Sequence, residues 1–520
     1  YSIVGGGKWI AAAIALVSIS HIPSSAEKLD YLAEACAPGP INITAHGLDH
    51  FKRPPEFRSE NGELNIVLDV KYGTSEIAGC RIKHRSYNGQ FIGPTLRLKP
   101  GDVLNMTVRN MLPPNPDDMP ADHNHPHHFN TTNIHTHGLH VDPKGISDNV
   151  LRRMPPGGDY QVRVEIPVDH PPGTFWYHPH VHGSTAIQVA SGMAGSLIIE
   201  GGLDEVPEIA AAEEHVMLLQ QIPYDEDGEI EDFALVDSTS VWYRELKRHM
   251  TINGQLVPTI TMRPGEVRRF RFISGFSGIP VVIGLDGHKL NEIAADGIAL
   301  GKCSPWERLD LWEGQRSDVL VKAIPLGAGE TRAVYWLREF AVLRGDRSDG
   351  EDDPRQYIAR IVVEGEPMEM ELPCDNGQLA DLVPFEPITD EEIQGEQRMM
   401  FSVEADENGV RRYMVDGKVF GEGEVRTLKL GAVEEWTVGV EPDSLERFHP
   451  FHIHVNSFQV TRDDPFGNPE IIWRDTLGLT TRGPRKIRMR YEDFHGKFVL
   501  HCHILNHEDR GMMQAVEIVK

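Results

Sequence analysis

Basic residues are scarce in this chain. Lys and Arg total 51 against 78 Asp and Glu, a net charge of −27 at pH 7. Nucleic acid is thereby excluded as a main partner, because phosphate binding needs clustered Lys and Arg. A cationic or neutral small molecule suits such a surface better, although acidity also serves solubility alone. Long apolar runs are missing as well. Beyond the first 26 residues no stretch is apolar for long enough to cross a bilayer. Cysteine is sparse, at five residues. One of them, Cys502, belongs to a motif described below. Cys36, Cys80, Cys303 and Cys374 allow three pairings as disulfides in an exported protein, or stand as buried thiols. The sequence leaves both open.

What is present points to a β protein. Gly 49 and Pro 36 favour turn-rich strands over helices, and an apolar content of 40% allows real cores. The 520 residues suffice for about three domains. Residues 1–26 read as an export signal: Lys8, an apolar run from Trp9 to Ser20, then Ser24-Ser25-Ala26 as a cleavage pattern. That run is too short to span a membrane. The mature chain is therefore expected outside the cytoplasm, periplasmic or extracellular, without a membrane span and as a monomer.

An internal repeat follows. Asn88-Gly89-Gln90 leads to Lys99-Pro100-Gly101-Asp102, and Asn253-Gly254-Gln255 leads to Arg263-Pro264-Gly265-Glu266. A weaker third copy is Asp416-Gly417-Lys418, then Lys429-Leu430-Gly431. Asn-Gly and Asp-Gly mark tight turns between strands. Near-equal spacing of three such units predicts an all-β chain of three stacked sandwiches. Residues 202–214 and 366–397 read as linkers. Pro113 to Thr132, with His123, His125, His127 and His128, reads as a solvated loop inside the first domain rather than a metal site.

The chemistry concentrates at His501-Cys502-His503-Ile504-Leu505-Asn506-His507, closed by Met512. On a strand, neighbours face opposite ways. Cys502 thus points to one side, and His501 and His503 to the other. With His507 and Met512, Cys502 nearly completes a soft copper site, which wants two imidazoles, a thiolate and a weak thioether. Three more His-x-His pairs occur at His135/His137, His178/His180 and His452/His454. Each puts two imidazoles on one face of a strand. Burying eight imidazoles without partners costs too much, and a structural zinc needs only four ligands.

These motifs, in this order and spacing, resemble those of the multicopper oxidases, from about residue 60 to 520. The resemblance implies three cupredoxin-like Greek-key β-sandwich domains, at 41–202, 213–365 and 398–520. It implies four copper ions, one type 1, one type 2 and two type 3. By position, His449, Cys502, His507 and Met512 match the type 1 ligands. His135 and His452 match type 2. His137, His178, His180, His454, His501 and His503 match type 3. Pro179 stands where many relatives have Ser, and as a non-ligand is expected to matter little.

The implied reaction is laccase-like. Small phenolic or similar donors lose one electron at a time, Cys502 passes electrons onward, and O₂ is reduced to water. Asp148 resembles the family's acidic residue near the cluster and is a candidate proton relay, or a turn cap. Asn506 stands where many bacterial relatives carry Glu, which puts a second proton route in doubt. Asp509 and Arg510 read as a solvated ion pair near the donor edge, and Trp473-Arg474-Asp475 as outer surface. The alternative function is a periplasmic metal oxidase for Cu⁺ or Mn²⁺, or a copper-binding protein in copper tolerance. The absence of a Met-rich tract, with 16 Met in all, weighs against it.

Overall fold

The computed structural model describes residues 43–520 apart from 117, 226, 234–248, 277, 279, 341–355 and 375–376, together with Cys36. The expected export signal, residues 1–26, lies outside the described residues. The strands form where apolar and polar residues alternate. In Glu63–Ile77, Leu64, Ile66, Leu68 and Val70 point inward while Glu63, Asn65 and Val67 face out.

The described strands make six sheets in three successive pairs, of four and five, seven and five, and six and five strands. Each pair encloses its own apolar core. One ladder recurs in all three. Glu63–Ile77 runs antiparallel to Cys80–Tyr87 and parallel to Val103–Asn110. Glu213–Ile222 and Gly395–Ala405 are each flanked in the same way.

The repeated turns explain why this ladder recurs. Asn88 and Gly89, Asn253 and Gly254, and Asp416 and Gly417 all have positive φ. Two successive positive φ values define the hairpin turn that Asn-Gly and Asp-Gly favour. In each copy the Asn or Asp side chain also accepts a backbone N–H from the neighbouring strand: Asp69 at 2.9 Å, Leu218 at 3.0 Å and Met400 at 2.8 Å. The repeat is thus a turn that stitches itself to the next strand.

Between the first two pairs, residues 202–214 include short helical turns at Gly202–Glu205 and Pro207–Ala210. The loop from 113 to 132 corrects an expectation. Its last stretch is not solvated: His127, Asn130, Thr131 and Thr132 are all buried, whereas His123 and His125 are exposed as expected. Asn130 accepts from Arg85, and its backbone carbonyl accepts from Asn110.

Of the pairings left open, Cys36 joins Cys80 and Cys303 joins Cys374, while Cys502 is a free, buried thiol. No helix among the described residues is long and apolar enough to cross a membrane. The Cys303–Cys374 bond closes a separation of 71 residues. Replacing both cysteines by Ser is expected to lower stability by about 2–4 kcal/mol, read by denaturant unfolding, while mass spectrometry of the unreduced parent finds one free thiol.

Candidate metal centre

Strand register assembles the site. In the first unit, His135 stands opposite His178 and His137 opposite Trp176. In the third, Phe451 stands opposite Cys502 and His452 opposite His501. Alternation along Gly496–Cys502 then separates two environments. Cys502 and Met512 belong to the apolar core of the third unit. His501 and His503 instead meet the first unit, with ring centroids 4.7 Å from His180 and 5.6 Å from His178 respectively.

On the thiol side, Sγ of Cys502 lies 3.5 Å from Nδ1 of His449 and 3.7 Å from Nδ1 of His507. The two Nδ1 atoms are 3.3 Å apart. Met512 closes the turn: its N–H donates to the His507 carbonyl and its carbonyl accepts from Cys502 N–H. All four residues are buried.

On the other side, the histidines gather in triplets whose ligand atoms lie within 4.8 Å of one another. These are His135/His137/His452, His137/His178/His503 and His180/His454/His501. Each triplet joins residues from both ends of the chain. Nε2 of His501 is 3.0 Å from Nε2 of His180 and 3.3 Å from Nε2 of His454.

Outer hydrogen bonds set the tautomers. Nδ1 of His178, His452 and His501 donates to the carbonyls of Pro179, Asp475 and Cys502. Nδ1 of His135 donates to Asp148, at 3.0 Å, and Nε2 of His137 to Asp475, at 3.1 Å. A neutral imidazole that donates from one nitrogen keeps a lone pair on the other. The inward atoms, Nε2 of His135, His178 and His452 and Nδ1 of His137, have no hydrogen-bond partner. Burial, then neighbouring imidazoles, pushes His135, His137, His178, His454, His501 and His503 well below the ordinary histidine range. His180 and His449 fall to about 3. Neutral, convergent lone pairs beside a soft thiol fit metal ions, and the donor set on the thiol side fits copper.

Acidic residues frame this cluster, and several were not anticipated. Asp148, as expected, meets it: besides His135 it accepts the Thr136 N–H at 2.8 Å. Burial raises its carboxyl to about 7, against that hydrogen bond. Asp475 corrects the surface reading of Trp473-Arg474-Asp475. It is buried, holds His137, and takes two hydrogen bonds from Arg316 of the middle unit, at 2.8 and 2.5 Å. Burial pushes its carboxyl up, but Arg316 and His452 hold it well below the usual range.

Asp509 is not a solvated ion-pair partner. It is fully buried and accepts the N–H groups of Gly183, Thr185 and Ala186, latching the third unit to the first. Burial, then Glu508, raises its carboxyl to about 8. A carboxylate does lie two residues beyond Asn506. Glu508 is fully buried, 3.8 Å from Nδ1 of both His180 and His182, and burial raises it to about 8. Glu446 lies 3.0 Å from Nε2 of His507.

Gly314, at φ +85°, brings the middle unit against the cluster. A Cβ there would stand 3.0 Å from both His137 and His503. A cavity of about 180 Å³, walled in part by His123, His127, His182, Phe420 and Met513, reaches His180. Removing Arg316 would leave Asp475 buried without its cation. Arg316→Met is expected to destabilise the copper-free chain by about 3–5 kcal/mol, measured by denaturant unfolding.

Comparison with known proteins agrees with this geometry. Family models described as multicopper oxidase match residues 123–203, 219–358 and 387–520. The multicopper oxidase mco of Staphylococcus aureus is 25% identical over 483 residues, covering 89% of this chain and 90% of that protein. A laccase of Bacillus subtilis is 23% identical over 474 residues, covering 83% and 89%. Among solved structures, a laccase from Pediococcus acidilactici superposes with a TM-score of 0.73 at 22% identity, covering 93% of this chain and 95% of its own. A multicopper oxidase from Campylobacter jejuni, described as a metallo-oxidase, gives 0.71 at 22%, covering 94% and 99%. The three family matches together span more than half of the chain, which belongs to the multicopper oxidase family.

Proposed function

We propose that this chain is a laccase-like oxidase. It takes one electron at a time from small phenolic donors and passes them to O₂, which is reduced to water. As a family member it is a copper-dependent oxidoreductase. The observation that carries the reading is the single strand Gly496–Cys502, continued by His503, which joins a soft Cys/His set to a cluster of eight imidazoles.

The residues proposed for each role follow from their neighbours. His449, Cys502, His507 and Met512 hold the type 1 ion, and His135 and His452 the type 2 ion. His137, His178 and His503 form one half of the type 3 set, and His180, His454 and His501 the other. Copper, when bound, supplies the one-electron chemistry that these side chains lack. Cys502 is the electron-transfer residue, because one peptide bond on each side links it to His501 and His503.

The remaining groups position and protonate. Asp475 and Asp148 keep His137 and His135 turned inward. Asp148 is also proposed as a proton relay, being buried and bonded to both His135 and the Thr136 N–H. An exported, monomeric enzyme is proposed as well. Two disulfides suit an oxidising compartment.

Copper-loaded protein is expected to show intense visible absorption from a thiolate–copper bond and to consume O₂ with a phenol. Cys502→Ser should lose both. Uptake with Cu⁺ or Mn²⁺ and none with phenols would overturn the donor class. For Asp148→Asn, O₂ uptake should slow by about 10–100-fold while copper content stays full. Unchanged turnover would remove Asp148 from the relay.

A further inference from the structure

The type 1 set has a partner that the family reading does not require. Glu446 lies on the loop just before the strand Phe448–Ile453. Its Oε2 is 3.0 Å from Nε2 of His507, the nitrogen turned away from Cys502. Its Oε1 accepts from Arg411 at 2.7 Å and from the Tyr413 hydroxyl at 3.2 Å. Its backbone carbonyl accepts the Ser444 hydroxyl at 2.7 Å, which fixes the loop. The carboxylate is therefore held from three sides.

It also covers the edge by which a donor would approach. The His507 side chain is 1% exposed, whereas that of Glu446 is 16% exposed. The Tyr413 ring lies 4.7 Å from the His507 ring, at 31°. Tyr413 is itself buried, so a molecule arriving from solvent meets Glu446 before it meets His507.

We propose that Glu446 is a positioning residue for the type 1 site: it fixes which nitrogen of His507 faces Cys502 and lowers the reduction potential there. The inference rests on the reading of His449, Cys502 and His507 as that site. With its Oε2 3.0 Å from Nε2, the Glu446 carboxylate favours the proton on that nitrogen and leaves the His507 lone pair on Nδ1, toward Sγ. A carboxylate behind a ligating imidazole raises the basicity of the ligand. Its negative charge also favours the more positive oxidation state of the ion. Arg411 opposes that charge in part and sets its effective strength. A lowered potential restricts the enzyme to electron-rich, easily oxidised donors, so Glu446 acts on specificity without joining the ligand set.

Two variants test the charge in opposite directions. Glu446→Gln keeps an acceptor for the His507 hydrogen and removes the charge. It should retain copper and the visible band, raise the type 1 reduction potential, and extend turnover to donors that are harder to oxidise. Arg411→Gln leaves the carboxylate less neutralised and should lower the potential. A third variant, Glu446→Leu, removes acceptor and charge together and should weaken copper retention at this site by about 10–100-fold. Redox titration of the visible band reads the first two, metal analysis the third, and thermal unfolding of the copper-free proteins checks the fold. Fully loaded variants with unmoved potentials, or potentials moving in the same direction, would overturn the proposal. If Glu446→Gln does not fold, Arg411→Gln decides alone by the sign of its shift. A parent protein without the thiolate band would overturn the copper assignment itself, a result distinct from a normal band with an unmoved potential.

Discussion

Eight buried imidazoles turned toward one another do not hold that arrangement by themselves. Each inward lone pair must be matched by an outward constraint. In five of the eight the outer nitrogen donates to an acceptor that cannot move far: the carbonyls of Pro179, Asp475 and Cys502, and the carboxylates of Asp148 and Asp475. At His135, His137, His178, His180, His454, His501 and His503 burial does the rest, because it disfavours the protonated ring and so preserves the lone pairs. The metal-binding character of the site is thus a property of its outer shell of acceptors as much as of its histidines.

The same constraint explains why three units are needed when only two carry His-x-His pairs. Asp475, from the third unit, holds His137 of the first with its side chain and His452 of its own unit with its carbonyl. Arg316, from the middle unit, balances that carboxylate and also donates to the carbonyls of Thr174, Gly314 and Asp296. One guanidinium therefore ties all three units to the cluster. Its planar, always-charged fork suits this use better than a lysine would. None of the histidine triplets described above draws a member from the middle unit, yet that unit supplies the cation without which the clamp would be an isolated buried charge.

Acidic groups divide by environment into distinct uses. Asp475 is matched by Arg316 and stays ionised. Asp148 and Glu508 have little opposing charge beside them, so burial raises both. Asp509 is raised as well, while it accepts from backbone N–H groups at the start of Thr185–Ala190 and so forms a latch between units. Glu446 is pushed up by burial but held at about 2 by His507, His449 and Arg411, and it faces the outer edge of the thiol site. The carboxyl group thus serves as clamp, buried acid, latch and cover, according to whether and where a positive group lies opposite.

Much of this was legible in the chain itself. Period-2 alternation sends Cys502 and its two flanking histidines to opposite faces, because neighbouring side chains on a strand must diverge. Asn88-Gly89, Asn253-Gly254 and Asp416-Gly417 announce their turns, because few residue pairs tolerate two positive φ values. Both signals are local, and local geometry is written in adjacent residues. Asp475, Arg316, Glu446, Glu508 and the buried half of the loop around His127 were not legible, nor was the pairing of Cys36 with Cys80 and of Cys303 with Cys374. An aspartate beside an arginine reads as surface in any one-dimensional view, since the partner that changes its role can lie 159 residues away, as Arg316 does from Asp475. The candidate ligand types and their strand faces were determined by sequence alone. Which carboxylate stands behind which imidazole was decided only when three sandwiches packed together, because burial and charge pairing depend on neighbours that the chain order does not name.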